Sequence, residues 1–183
     1  MNKKKLIITA LCVILVAVIA VIVFIPRGVE VSDKQIEDRM LYNKLCNEAY
    51  KICFENNSEE YKKVEQPTEV SDVKKQMQFD ITVCNLLTEK KIVMHKNDTD
   101  NIAKSEFEAM QTDPQQATFK NALFKVMKQQ NISEQKYLEL LCEQAYYRYN
   151  TFTLQTDFEH TGYDENAEKD FEAQFKEYVE DNM

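Results

Sequence analysis

The run from Phe119 to Tyr149 reads FKNALFKVMKQQNISEQKYLELLCEQAYYRY, and its pattern sets the fold class. On both sides of Asn131-Ile132 the apolar residues recur every three or four positions, the spacing of one face of an α-helix. Ser133 follows this pair directly, and serine is a preferred residue for capping the first turn of a helix. The run therefore predicts two helices joined by a tight corner, the second of them long.

The helical spacing continues towards the N-terminus. Ser32-Asp33-Lys34-Gln35 has the form of a capping box and predicts a helix that reaches about Glu55. A short turn is predicted at residues 59–64, and Gln66-Pro67-Thr68 starts the next helix. The apolar stripe of this next helix is wide, which favours a position at the centre of a bundle.

The remaining helices are marked by caps and breaks. The polar stretch His95–Thr99 predicts a break, and Asp113-Pro114 supplies a cap and a proline at the first helical position. A last helix is predicted over Phe171–Val179, beyond the turn signal Thr161-Gly162. Since no stretch alternates for long with the period of a strand, we predict an all-α protein. Its N-terminal single transmembrane helix is followed by an irregular bundle of about five to six helices.

The predicted membrane anchor is the stretch Leu6–Ile25, twenty residues without a charge. A helix of about 20 apolar residues crosses the hydrocarbon core of a bilayer. Lys3, Lys4 and Lys5 precede the stretch, so the positive-inside tendency leaves the N-terminus in the cytoplasm. We expect a single-pass protein of the cell membrane, with a cytoplasmic tip and anchor in residues 1–27 and the rest of the chain outside.

Two alternatives for this stretch are a cleaved secretory signal and a lipoprotein signal with Cys12 as the lipidated residue. A secretory signal has a shorter apolar core and a small-x-small cleavage site, which this stretch lacks. Leu11, directly before Cys12, is larger than the small residue usual there. Beyond the anchor we expect a helical domain over residues 28–160 and a C-terminal amphipathic helix over 161–183 that packs on the bundle.

The charge of the outer segment excludes some partners. All 31 acidic residues lie beyond Arg27 with 19 of the 23 basic ones, which leaves 12 excess negative charges. Such a surface repels the phosphates of nucleic acid and disfavours adsorption onto anionic lipid. Only two glycines and three prolines occur in 183 residues, too few for an all-β fold or a glycine-rich phosphate loop.

Four cysteines, Cys46, Cys53, Cys84 and Cys142, lie beyond the anchor. An oxidising compartment could pair them. Cys46 and Cys53, however, are about 10 Å apart along one helix, too far to bond each other. Each of the four also stands among apolar residues at helical spacing, so we favour packing in the core as their role.

Catalytic chemistry finds little support in the sequence. His95 and His160 are the only histidines, both in polar stretches without a metal-binding motif nearby. No serine stands in a recognisable nucleophile motif. We therefore expect a protein that is not an enzyme, with no catalytic residue, metal or cofactor.

A surplus of aromatic and sulfur-containing side chains suggests a surface that binds other polypeptides. Methionine and aromatic side chains adapt to varied sequences, and a helical groove lined by them suits extended or unfolded chains. The alternative is that they form only the core and its rim. The candidate binding residues are Met110, Met127, Tyr146, Tyr147, Tyr149, Phe152, Phe171 and Phe175.

The stretch from Phe119 to Phe152 resembles the helix-turn-helix of the SurA-type N-terminal chaperone domain, in which an Asn-Ile-Ser-Glu corner precedes a tyrosine. The segments 85–91, 99–102 and 29–36 are similar to preceding parts of such domains, so the likeness covers most of residues 29–155. It implies an extracytoplasmic helical domain like those of SurA and PrsA foldases, which hold unfolded secreted proteins. The chain leaves no room for their parvulin-type isomerase domain, so isomerase activity is not expected.

The predicted anchor, the acidic surface and the resemblance to the SurA-type domain together lead to one expectation for function. We expect a membrane-anchored, extracytoplasmic, chaperone-like domain that binds unfolded or secreted polypeptides. The alternative is a structural or regulatory membrane protein whose helical domain docks one dedicated protein partner.

Overall fold

The computed structural model describes residues 29–55, 58–165 and 167–183, and these are helical with no strand among them. The prediction of an all-α fold is therefore confirmed, with seven α-helices in these ranges. They are α1 (Asp33–Cys53), α2 (Ser58–Val64), α3 (Val70–Lys90), α4 (Lys96–Thr112), α5 (Ala117–Gln129), α6 (Glu134–Thr161) and α7 (Phe171–Glu180), with a 3-10 turn at Pro114–Gln116 before α5.

The stretch Leu6–Ile25, predicted as the membrane anchor, lies outside the described residues. Among the helices that are described, none combines the length and the apolar character needed to cross a bilayer.

Helix caps appear where the sequence predicts them. The Ser32 capping box forms, with Gln35 N donating to Ser32 Oγ and Ser32 N donating to the Gln35 side chain. At the corner between α5 and α6, Asn131 has a left-handed backbone with φ of 54°. Ser133 Oγ then accepts a hydrogen bond of 3.1 Å from Lys136 N. The two helices of the Phe119–Tyr149 run are thus joined as predicted.

The structure differs from two predictions about the connections between helices. The turn expected at residues 59–64 is the short helix α2, and the break expected at 95–99 lies at 91–95, so that α4 already begins at Lys96. Helix α3 ends because Lys91 adopts a left-handed backbone with φ of 61°. The cap-type residues that suggested a later break fill the first turn of α4, where an acid such as Asp98 is stabilised by the helix dipole.

The central helix is α6, not α3 as the width of its apolar stripe suggested. Helix α6 is 28 residues long and packs against α1, α3, α4 and α7. Its length lets it supply two separate cores. Residues from Tyr137 to Ala145 enter one of them, and Leu154 and Phe158 enter the other. The apolar stripe of a helix shows how wide its apolar face is. It does not show how many other helices pack against that face.

The larger core joins α1, α4, α5 and α6 around side chains such as Leu45, Leu123 and Leu140, each at most 1% exposed. The second core joins α3, α6 and α7, where Phe175 and Val179 pack on Leu87, Leu154 and Phe158. The C-terminal helix is therefore docked on the bundle. Gly162 ends α6 with its backbone against Phe158, since an added Cβ would lie 2.7 Å from that ring.

The cysteines Cys46, Cys53, Cys84 and Cys142 are free thiols. All except Cys53 are buried, so they pack as small apolar side chains.

Candidate functional site

A cleft of about 470 Å³ lies between α1, α3 and α6. Its lining combines aromatic rings, including Tyr42, Tyr147 and Phe152, with charged and amide side chains. The amide side chains are contributed by Asn43, Gln66, Gln76, Gln144 and Gln155. We call this cleft the polar chamber.

A second cleft of about 350 Å³ adjoins it, between α1, α4, α5 and α6. Phe107, Met110, Phe119 and Leu141 give it more apolar lining residues than the first cleft has, so we call it the apolar chamber. The two chambers share four lining residues: Tyr42, Cys46, Tyr50 and Arg148. They therefore adjoin along α1 and α6, and we refer to the pair as the central cleft.

A buried ion pair forms part of the polar chamber. Arg39 Nη2 donates to Asp80 Oδ2 at 2.6 Å, with the two side chains only 8% and 12% exposed. The guanidinium also lies over the ring of Tyr147, 5.4 Å from its centroid. Burial raises the pKa of the Asp80 carboxyl, and Arg39 opposes that shift. These contacts fix the position of the arginine from two sides.

Two polar atoms of the polar chamber have no hydrogen-bond partner. They are Arg39 Nε and Gln76 Oε1, and both are buried. A buried polar atom left without a partner destabilises a protein by about 1–3 kcal/mol, and most such atoms in folded proteins are paired.

Arg148 stands at the boundary between the two chambers. Its guanidinium pairs with Glu106 and lies 5.0 Å from the centroid of the Tyr149 ring. The Tyr149 hydroxyl donates to the same carboxylate at 2.5 Å. The carboxylate thus holds both side chains between α4 and α6, at the place where the chambers meet.

At this boundary, Tyr42, Cys46 and Tyr137 form a cluster in which the tyrosine rings stack at 6.0 Å. Cys46 and Tyr137 are buried, and Tyr42 is partly buried. Burial raises the pKa of the Cys46 thiol to about 11. Burial likewise raises the pKa of both tyrosines well above its ordinary value. The thiol is therefore protonated at neutral pH and lacks the thiolate that a cysteine nucleophile needs. In the described part of the chain, no group of three or more His, Cys, Asp or Glu side chains is placed to hold a metal ion.

The candidate binding residues separate into two groups. Tyr147 and Phe152 line the polar chamber, and Met110 lines the apolar chamber. Phe152 is 66% exposed, whereas Met110 and Tyr147 are buried. Tyr146 packs edge-on against Tyr147 with ring centroids 5.5 Å apart. Three of the candidates therefore line the central cleft, whereas Tyr146 and Tyr149 pack beside lining residues without lining it themselves.

The other three candidates lie in the cores. Met127 is 2% exposed in the larger core, and Phe175 is 4% exposed in the second core, where Phe171 packs beside it. In this conformation Met127 and Phe175 are buried, whereas Phe171 is partly exposed.

Sequence reasoning missed the α1 and α3 residues of the cleft, above all Arg39, Gln76 and Asp80. A signal was available on α1, because Arg39, Asn43 and Asn47 fall in phase with its apolar stripe and are all buried. Charged and amide residues at core positions are unusual, and such residues require partners inside the fold.

Two of these residues shape one wall of the polar chamber. Asn47 forms two bonds of 2.8 Å with Gln66, accepting from its N–H and donating to its carbonyl. Asn43 Nδ2 donates to Pro67 O at 2.7 Å. These bonds hold the connection between α2 and α3 against α1, and they place Gln66 in the cleft lining.

Replacing Asn47 by Ala should lower the free energy of unfolding by about 2 kcal/mol, because both backbone groups of Gln66 lose their partner. Urea unfolding followed by circular dichroism measures this loss. Lys44→Ala on the exposed face of α1 is the matched control and should change stability little. Equal losses of stability in the two variants would show that the bonds between Asn47 and Gln66 do not stabilise the fold.

Comparison of the chain with protein-family models, with curated proteins and with solved structures gave no match in any of the three searches. The likeness to the SurA-type domain accordingly stays a prediction from the sequence. What the structure itself defines is a class: an all-α domain with three hydrophobic clusters, the two described above and a small one of Ile36, Val73 and Met77, and with a two-chamber cleft between its helices.

Proposed function

We propose that the protein is a membrane-anchored, extracytoplasmic, chaperone-like domain that binds unfolded or secreted polypeptides in the central cleft. One observation carries the proposal: a chamber lined by aromatic rings and amide side chains adjoins one with more apolar lining residues. An unfolded chain presents apolar side chains and unpaired peptide groups together, so it needs a surface that accepts both.

The apolar chamber suits a side chain of the bound polypeptide. Aromatic rings and the adaptable Met110 side chain line it, and such surfaces accept varied apolar groups. Phe152, the most exposed large apolar side chain of the described residues, stands at the polar chamber and gives an entering chain its first apolar contact. Binding of this kind requires no catalytic group.

The charge of the outer segment supports the same function. Its 12 excess negative charges keep a complex with an apolar client in solution, since like-charged complexes repel each other. The predicted anchor would place the cleft at the membrane surface, where secreted chains emerge unfolded.

The first test uses the fragment spanning residues 28–183 and reduced, unfolded lysozyme as the client. We expect the fragment to slow client aggregation, measured by light scattering, at an equimolar ratio. Phe152→Ser should weaken client binding about tenfold, because it removes a large apolar contact. Tyr163→Ser, which changes an exposed aromatic side chain away from the cleft, is the matched control and should leave the effect intact. No effect at several-fold excess would reject the proposal.

A photo-crosslinking residue placed at position 152 in cells separates this proposal from docking of one dedicated partner. Many crosslinked products indicate a client-binding domain. One recurrent product indicates a structural or regulatory protein, and Phe152 would then belong to its docking surface.

A further inference from the structure

One face of helix α6 lines both chambers of the central cleft. Arg148 lines both of them, Leu141 lines the apolar chamber, and Phe152 lines the polar chamber. Steps of seven and four residues along an α-helix return to nearly the same side, so these three side chains form a single stripe. The central cleft therefore follows the axis of α6 and has the form of a linear groove.

The two ends of this stripe offer apolar contact. At one end the Phe152 ring is 66% exposed, and at the other the apolar chamber has a volume of about 350 Å³. Tyr50 and Phe119, which are only partly buried, line that chamber and can contact a group inside it. Arg148 lies between the two ends, and its guanidinium pairs there with Glu106. The groove thus has two apolar contact sites with an ion pair between them.

We infer that the groove binds an extended polypeptide segment with two apolar side chains four residues apart, one in the apolar chamber and the other against Phe152. The inference rests on the proposed function and specifies the sequence pattern that a client needs. The residue midway between the two apolar positions would lie over Arg148, where a small or polar side chain fits best.

The spacing follows from the rise of the two backbones. An α-helix rises about 1.5 Å per residue, so along α6 the apolar chamber extends from about 6 Å to about 16 Å from Phe152, the positions of Arg148 and Leu141. In an extended chain, a separation of four residues covers about 13 Å and ends inside the chamber. A separation of two residues covers about 7 Å and ends at the Arg148 ion pair, whereas six residues cover about 20 Å and pass beyond Leu141.

The separation must also be an even number of residues. Successive side chains of an extended chain point to opposite sides, so residues three or five apart cannot both face α6. A helical segment does not match either, because residues four apart in a helix are only about 6 Å apart along its axis. An extended segment uses both contact sites when it has the pattern apolar-x-small-x-apolar.

The charge of the groove favours an uncharged segment. Its charged side chains pair with each other, Arg39 with Asp80 and Arg148 with Glu106, so the lining is neutral in sum. The outer segment as a whole carries 12 excess negative charges, which repel acidic segments and further copies of this chain. A neutral, extended, apolar segment of another protein is therefore the occupant that complements the groove.

The test uses full-length protein in lipid nanodiscs and fluorescently labelled, capped twelve-residue peptides of serine and alanine. Each peptide contains two phenylalanines separated by two, three, four, five or six positions, and a further peptide contains only one. We expect the peptide with a separation of four to bind about tenfold more tightly than the others, as measured by fluorescence anisotropy, because it alone buries both rings.

Variants at the two contact sites show where the rings bind. Phe152→Ser should reduce binding of the best peptide to the level of the single-phenylalanine peptide, whereas Tyr163→Ser should not. Ala109→Leu should have the same effect as Phe152→Ser, because Ala109 is an exposed residue of the apolar chamber lining and a leucine there narrows the chamber. Ala173→Leu, at an exposed position of α7, is its control. All four positions are exposed, so each variant should fold, and its melting temperature checks this.

A preference for a separation of four that both contact-site variants abolish supports the inference. Equal binding of all the two-phenylalanine peptides, or a preference that survives Phe152→Ser, overturns it, and the proposed function stands if unfolded lysozyme is still kept from aggregating. Self-crosslinking from position 152 without peptide binding would identify a second copy as the occupant and would also overturn the inference. If neither the peptides nor unfolded lysozyme bind wild type, the proposed function and this inference fail together.

Discussion

Raising the pH from 8 to 11 should remove about 5 kcal/mol from the free energy of unfolding, enough to unfold much of the domain. The main cause is the cluster of Tyr42, Cys46 and Tyr137, and other groups whose pKa burial raises, Cys84 among them, add to the loss. Burial raises the pKa of the Cys46 thiol to about 11, and it raises the pKa of both tyrosines further above their ordinary value. In the folded protein all three groups therefore hold their protons at pH values where an unfolded chain releases them.

The sign follows from that difference in proton binding. Because the folded pKa values lie above the unfolded ones, the contribution of these groups is fully present below about pH 8–9 and is lost as the pH rises. Each group that ionises only in the unfolded chain lowers stability by about 1.4 kcal/mol per pH unit. The loss from Cys46 ends near its folded pKa of about 11, whereas the loss from the tyrosines continues beyond it.

Urea unfolding at a series of pH values measures this effect. Tyr42→Phe removes one of the three groups, so the stability lost between pH 8 and pH 11 should shrink by about 1.4 kcal/mol. Tyr163→Phe, at an exposed tyrosine in another part of the chain, is the control and should leave that loss unchanged. A wild-type stability that stays constant to pH 11 would show that the cluster is not buried as described.

The helices could be predicted from the sequence because their signals are local. The capping box at Ser32, the corner at Asn131–Ser133 and the amphipathic run from Phe171 each involve residues within a few positions of one another. The break before α4 was misplaced because cap-type residues also suit the first turn of a helix. The central place of α6 depends on four packed neighbours, and no single-helix pattern contains that information.

The candidate site was predictable only where one helix supplies it. Tyr147 and Phe152 lie on α6, whose aromatic surplus is visible in the sequence. Arg39 and Asp80 are 41 positions apart, and they become one ion pair only when α1 packs against α3. The same limit explains why Phe175 and Met127 were candidates for binding. The sequence pattern of an apolar side chain on a helix is the same whether that side chain faces a client or the core of its own fold.

Replacing Phe175 by Ala should lower the free energy of unfolding by about 3–5 kcal/mol, the range found for removing a buried phenylalanine. Phe175 is 4% exposed, with its ring 5.7 Å from that of Phe158 and 6.1 Å from that of Phe79. Its ring packs against side chains of both α3 and α6, so its removal leaves a cavity between these helices and α7. Phe152→Ala is the matched control, since that ring is 66% exposed and its removal should change stability by less than about 0.5 kcal/mol.

The part of the fold that Phe175→Ala destabilises is as informative as the size of the stability loss. The larger core contains no residue of α7, so release of α7 should loosen the second core first. Hydrogen exchange should accelerate in α7 and in the ends of α3 and α6 that contact it, while the middle of α5 stays protected. A chain ending at Gly162 should be destabilised in the same region, and a peptide of residues 163–183 added in excess should restore protection there. Equal stability of Phe175→Ala and Phe152→Ala would contradict the docking of α7, because it would mean that the second core contributes nothing to folding.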